Sequence, residues 1–267
     1  PLHVGAELFG DSGSPADLEI VSLMVESLHS LGMPSVVIEL GDVGIFRLLV
    51  QQFKISPETE EKLFALIQKK AMVELETCVQ ELDLDAGHKQ IILELPGLCG
   101  NSGVLARAEA VFGGYPQIMQ RLASLGEVAR GVESRFSGIQ IYYDLSELRG
   151  YNYHTGIVFA AYLGEARRRV AQGGRYDSIG SVFGRDRGAT GFDVDVKTLA
   201  KFSTTTEAKR PVVIAEPGAG IDDLPRWEKI RELRTAGYIV LESGKQTVPH
   251  DFSLNQYDGE WQLTKTH

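Results

Sequence analysis

Cysteine is scarce: the 267 residues carry two, Cys78 and Cys99. They form neither a disulfide framework nor a metal-spaced pair, so both read as reduced packing residues of a cytoplasmic protein, and no metal or cofactor is expected. Long apolar runs are missing as well. No stretch approaches the roughly 20 residues that a membrane span needs, and the N-terminus lacks a signal-peptide pattern, so no membrane partner is expected. Positive charge is in deficit. The 27 Lys and Arg against 36 Asp and Glu leave a net charge of −9, which weighs against a tRNA or DNA partner, because phosphate neutralisation dominates nucleic-acid affinity. Nucleotide fingerprints are absent. Gly218-Ala219-Gly220 runs into Ile221-Asp222-Asp223, and Gly244-Lys245 has no glycine at P-loop spacing.

The content that remains is ordinary for a soluble globular chain, 43% hydrophobic and 24% charged. Ser14-Pro15-Ala16-Asp17 reads as a helix start with Ser14 as N-cap. That helix would carry Ile20, Leu23, Met24, Ser27, Leu28 and Leu31 on one face and stop at Gly32. A buried strand is expected over 35–40 and a helix over 42–53. Ser56-Pro57-Glu58 starts a helix reaching about Leu82, with Leu63, Leu66, Ile67 and Val73 inward. Gln90 to Leu95 reads as a short strand, and Val104–Phe112 and Pro116–Ala129 as helices. Residues 55–131 thus form a mostly helical insertion, in which His88 is an isolated loop histidine.

The most informative stretch is 138–163, GIQIYYDLSELRGYNYHTGIVFAAYL. Ile139, Ile141, Tyr143 and Leu145 alternate with polar residues, the period of a half-buried strand. Gly156 to Leu163 is a second strand. Between them Arg149, Tyr151, Tyr153 and His154 crowd between Gly150 and Gly156. Arg offers a planar fork for a carboxylate or phosphate, and the rings bring apolar bodies with hydrogen-bonding tips. A small polar ligand would suit this corner, although an aromatic strand edge with a surface Arg would read the same way.

Further blocks follow in order. Ala166 to Ala171 pairs as a hairpin with the preceding strand, and its Arg167, Arg168 and Arg169 cannot share one face of a strand. Gly173-Gly174-Arg175-Tyr176-Asp177 reads as a sharp turn that brings amides close to a ligand and presents Tyr176. Ala189-Thr190-Gly191-Phe192 comes next. In order and spacing, these three blocks resemble the catalytic domain of histidyl-tRNA synthetases. The wording around Arg149-Gly150-Tyr151 resembles the synthetase-derived regulatory subunits of ATP phosphoribosyltransferase more closely.

The resemblance implies an α+β fold: a class II synthetase-like antiparallel sheet flanked by helices over 1–200, a linker at 201–210 and a small C-terminal α/β domain over 211–267. The opening Gly5-Ala6-Glu7-Leu8-Phe9-Gly10 would be the second half of a hairpin whose first half carries an ATP-binding Arg. The implied histidine site comprises Glu7, Arg149, Tyr151, Tyr153, His154 and Tyr176, with pocket backbone from Gly173, Gly174 and Thr190. Aligned on 189–192, a Gly and a phosphate-holding Arg of working synthetases become Asp195 and Thr198. Losing that Arg removes a charge-assisted phosphate contact, and Asp193 and Asp195 would repel a polyphosphate. The implied protein has no catalytic residues of its own. It would dimerise, bind L-histidine as effector and assemble with the short catalytic subunit that starts histidine biosynthesis. An active synthetase core and an assembly subunit without ligand are the alternatives.

Overall fold

The computed structural model describes residues 2–33, 35–163, 168–177, 187–202, 210–218, 223–242 and 248–266. Arg167, the Gly164-Glu165 connection, most of the expected linker, Gly220 and Gly244-Lys245 lie outside the described residues. The chain divides into two units, Pro1–Thr204 and Thr205–His267.

The first unit is built on seven strands: β1 (His3–Phe9), β2 (Val36–Asp42), β3 (Cys99–Gly100), β4 (Gln140–Asp144), β5 (Ile157–Leu163), β6 (Arg168–Arg175) and β7 (Ala189–Asp195). They lie side by side in the order β1-β7-β6-β5-β2-β4-β3. Every neighbouring pair is antiparallel except β2 with β4, which run parallel. A parallel pair needs a crossover connection, and the helical insertion between these two strands supplies it.

Helix α1 (Ser14–Ser30) buries Ala16, Ile20, Met24 and Leu28 at four-residue spacing, flanked by Val21 and Val25. This stripe is rotated from the expected face: Leu23 is 45% exposed and Ser27 and Leu31 also face solvent. The N-cap is Gly13, with Ser14 already inside the first turn and no side-chain cap. Helix α2 (Val43–Gln52) is capped by Asp42, whose carboxylate accepts from the Gly44 N–H at 2.7 Å.

The insertion departs from expectation twice. The long helix after Ser56 is two, α3 (Pro57–Gln68) and α4 (Met72–Gln80), broken where Lys70 takes φ 49°. The break resets the buried stripe, so Leu63 and Ile67 are buried while Val73 is 76% exposed. Residues 90–95, expected as a strand, belong to helix α5 (Ala86–Glu94) and a 3-10 turn (Leu95–Gly97). A short apolar run does not distinguish the two states, and the deciding signal is Asp85, which caps the helix through the His88 N–H. His88 therefore sits on a helix, its ring 4.3 Å from that of Phe53. Helices α6 (Gly103–Phe112) and α7 (Pro116–Arg135) complete the insertion, and a short α8 (Val196–Leu199) follows β7.

The second unit has a four-stranded sheet in the order β11-β10-β8-β9, from β8 (Val212–Ala215), β9 (Ile239–Leu241), β10 (Phe252–Tyr257) and β11 (Glu260–Lys265). Helix α9 (Leu224–Thr235) connects the parallel β8 and β9. Val213, Ile230, Leu233, Val240, Leu254 and Trp261 form its own core.

Candidate ligand-binding site

Strand register decides what the sheet offers to a ligand, because directly paired residues point to one face. One row across the sheet reads Gly5, Asp193, Gln172, Ala160, Glu39, Tyr142. The next row on that face reads Glu7, Gly191, Gly174, Val158, Gly41. The row between them points the other way and is apolar at Ala6, Phe192, Phe159, Leu40 and Tyr143, all within or against the main core.

Gly174 and Gly191 of the second row seat polar side chains of the site. A methyl placed on Gly174 would lie 2.7 Å from His154 Cδ2, and one on Gly191 would lie 2.9 Å from Glu7 Cγ. One on Gly41 would instead meet the Asp144 backbone carbonyl at 2.5 Å. Gly174 and Gly173 thus sit within strand β6 rather than in the expected turn. Their missing side chains make room for the His154 ring on one face and the Phe159 ring on the other.

Above these rows is a cavity of about 330 Å³ bordered by Arg149, Gly150, Tyr153 and His154 from the corner, Glu147 beside them, and Glu39, Gln172 and Asp193 from the floor. The Arg149 guanidinium donates to Glu147 Oε2 at 2.6 Å and lies 3.8 Å from Glu39 Oε1. Its backbone N–H donates to Glu147 Oε1 at 2.7 Å. Tyr162 bridges the group, its hydroxyl 3.4 Å from Arg149 Nη2 and 3.3 Å from Glu39. Burial, and then the charge of Glu147, hold the Glu39 carboxyl above the ordinary carboxylate range. On the floor, Asp193 is 2.9 Å from His3 Nδ1 and accepts from Gln172 at 3.2 Å.

The corner is held by a residue outside it. Arg47 of α2 donates to the carbonyls of Tyr151 at 2.6 Å and His154 at 3.2 Å. His154 Nδ1 lies 3.3 Å from the Arg149 carbonyl, and burial pushes its imidazole below the usual histidine value. An edge-on contact of 5.2 Å joins His154 to Tyr153, whose ring lies 4.9 Å from that of Tyr176 and thence 6.4 Å from Phe9. The Tyr176 hydroxyl is buried without a hydrogen bond of good geometry. Burial, and then the neighbouring Glu7, hold its phenol far above the ordinary value.

Of the expected site residues, Arg149, Tyr153, His154 and the Gly173 backbone border the cavity. Glu7 and Tyr176 adjoin it through Tyr153. Tyr151 and Thr190 do not. Tyr151 is buried against Phe46 and Phe64, with Arg47 over its ring, and its hydroxyl donates to Glu60 of α3 at 2.6 Å. Thr190 pairs with Arg175 on the opposite face and is fully buried beside Asp17. Arg175 holds Asp17 of α1 at 2.9 Å, Asp177 at 3.0 Å and the carbonyls of Asp11 and Gly13. A second cavity, about 430 Å³ and bordered by α1, α2 and α7, holds Arg175 and Arg121. Both are already paired, with Asp17 and Asp42.

The structure adds Glu39, Glu147, Gln172 and Asp193, which the sequence reading did not assign to a ligand. The signal for Glu39 was available, as a lone carboxylate in the apolar run Val36-Val37-Ile38-Glu39-Leu40. Position 198, where the resemblance places the phosphate-holding Arg of working synthetases, is buried here. Thr198 is buried, donates its hydroxyl to Asp195 Oδ2 at 2.7 Å, and gives its N–H to Asp195 Oδ1 at 3.1 Å.

The profile of the family described as histidyl-tRNA synthetase matches residues 1–199. An ATP phosphoribosyltransferase regulatory subunit from Teredinibacter turnerae is 41% identical over 254 residues, 94% of this chain and 64% of the relative. Further relatives with the same description are 37–41% identical, and the chain spans 62–69% of their length. A crystal structure from Bacillus halodurans C, described as an ATP phosphoribosyltransferase regulatory subunit/histidyl-tRNA synthetase, has a TM-score of 0.71 at 25% identity. The match covers 92% of this chain and 63% of that one. A chain of the ATP phosphoribosyl transferase (HisG:HisZ) complex from Thermotoga maritima shares the fold with a TM-score of 0.54 at 19% identity, over 72% of this chain and 65% of that one. The chain belongs to the histidyl-tRNA synthetase-like family, with the ATP phosphoribosyltransferase regulatory subunits.

Proposed function

We propose that this chain is the histidine-sensing, non-catalytic regulatory subunit of a short-form ATP phosphoribosyltransferase, acting in the cytoplasm. It dimerises and assembles with the catalytic subunit, which joins ATP to phosphoribosyl pyrophosphate. L-histidine sits over the glycine row, with Arg149 toward its carboxylate and Tyr153 and His154 beside it. Glu7 and Tyr176 complete the wall at the far end. The observation that carries this reading is a contrast within the first unit: a cavity opens beside Arg149, while position 198, on the short helix after β7, is buried in a Thr–Asp contact and offers no cation to a polyphosphate. A protein that binds histidine without activating it needs that combination. Binding regulates the partner only through a difference in affinity between active and inhibited assemblies.

The experiment is the activity of a short catalytic subunit with and without this chain, titrated with histidine. Changed activity on addition, with histidine inhibition in the mixture alone, is expected. Absence of both effects, with histidine-dependent pyrophosphate exchange by this chain, would instead establish a synthetase core. Changed activity without histidine dependence would leave an assembly subunit.

A further inference from the structure

Arg149 is the cation a ligand carboxylate would seek, yet Glu147 holds it twice, through the guanidinium at 2.6 Å and the backbone N–H at 2.7 Å. Among the described residues, Glu147, Glu39 and Asp193 all border the cavity, against the single guanidinium of Arg149. The imidazole of His154, depressed by burial, adds no charge near neutral pH. His3 lies on Asp193, at the edge of this group. The lining is therefore richer in carboxylate than in cation, and its fork is already filled.

We propose that Glu147 is the specificity-determining residue of the cavity. Its carboxylate stands where a ligand carboxylate would bind Arg149, so the site selects small ligands by their cationic end, held between Glu39 and Asp193. The inference rests on the histidine-site reading above and revises one part of it: the carboxylate meets an Arg149 already held by Glu147, and the ammonium is the part of the amino acid that is selected. Geometry makes the occupancy specific. Glu147 spans the Arg149 guanidinium and backbone N–H with its two oxygens, and Tyr162 ties Glu39 to the same guanidinium. A ligand carboxylate gains from Arg149 only by sharing it with Glu147, whereas an ammonium meets carboxylates that lack a full countercharge. Three carboxylates and one guanidinium make such a ligand the missing partner of the group.

The test is calorimetric titration of the full chain with three probes: L-histidine, L-histidinol, which lacks the carboxylate, and 3-(imidazol-4-yl)propionate, which lacks the ammonium. Histidine and histidinol are expected to bind with dissociation constants within about threefold of each other, and the propionate at least roughly tenfold more weakly, the size of one charge-assisted contact. In Glu147→Gln the fork is released, and histidine should gain roughly tenfold over histidinol. Glu39→Gln serves as the second variant and should weaken both ammonium-bearing probes alike. Binding of histidine and the propionate without histidinol would overturn the inference while leaving the histidine site standing. An unchanged histidine-to-histidinol ratio in folded Glu147→Gln would overturn it as well. Failure of all three probes to bind the parent chain would remove the histidine-site reading itself.

Discussion

The Tyr151 hydroxyl donates to Glu60 at 2.6 Å, joining the corner of the ligand cavity to the first helix of the insertion. Burial, and then the bond to Glu60, push this phenol up to about 12. The contact belongs to the packing between the insertion and the sheet. Tyr151→Phe should therefore lower stability by about 1 kcal/mol, the net worth of one buried hydrogen bond. Histidine affinity should stay at the parent value. Denaturant unfolding and calorimetry on the same sample check both halves.

Arg149→Ala removes the cation that Glu147 and Glu39 share. A ligand carboxylate then faces two carboxylates with nothing between them, and L-histidine binding should weaken by roughly tenfold or more. Activation of the catalytic subunit in the absence of histidine should survive. Unchanged calorimetric affinity would remove Arg149 from the site.

Gly174→Ala places a methyl 2.7 Å from the His154 ring and 2.8 Å from the Ile157 carbonyl. The carbonyl belongs to the paired strand and cannot retreat, so the fold should lose about 1–3 kcal/mol, the cost of overpacking. His154 is the softer neighbour and should be displaced into the cavity. Thermal unfolding reads the first effect, and weaker histidine binding reads the second.

Glu39 gives a pH signature. Its folded carboxyl is held above the ordinary carboxylate range, chiefly through burial. The folded state therefore holds this proton more tightly than the unfolded state does. Ionising it costs the fold stability as pH rises from the unfolded value through the folded one. Glu39→Gln carries no such cost. Its gain in Tm over the parent should be near zero at about pH 4 and grow toward neutrality. A Tm difference that is flat with pH would show that the Glu39 carboxyl ionises at the same pH in both states.

Much of the architecture could be read along the chain, because its signals are local. Pro15, Pro57 and Pro116 stand in the first turns of α1, α3 and α7, and the alternation around Tyr143 marks β4. The exceptions are local as well: Lys70 breaks a helix without glycine or proline, and Ile91-Ile92 looked like strand until Asp85 capped it as helix. The site was half legible. Arg149, Tyr153 and His154 stand out by residue type, but the irregular corner has no period, so nothing separated Tyr153 in the cavity from Tyr151 beneath it. Glu39, Gln172 and Asp193 meet only through registers between strands far apart in the chain. Thr190, expected to lend backbone to the pocket, does not border the cavity, and Gly191 rather than Thr190 shares a row with Glu7.

Gly174 means that the seat of the His154 ring is written into the gene as an omission. It depends on no rare or reactive side chain at that position, only on a hydrogen atom where carbon would otherwise stand. Such a seat is open to loss by the smallest changes the genetic code allows, since any single-base replacement of a glycine codon that still encodes an amino acid other than glycine installs at least one carbon.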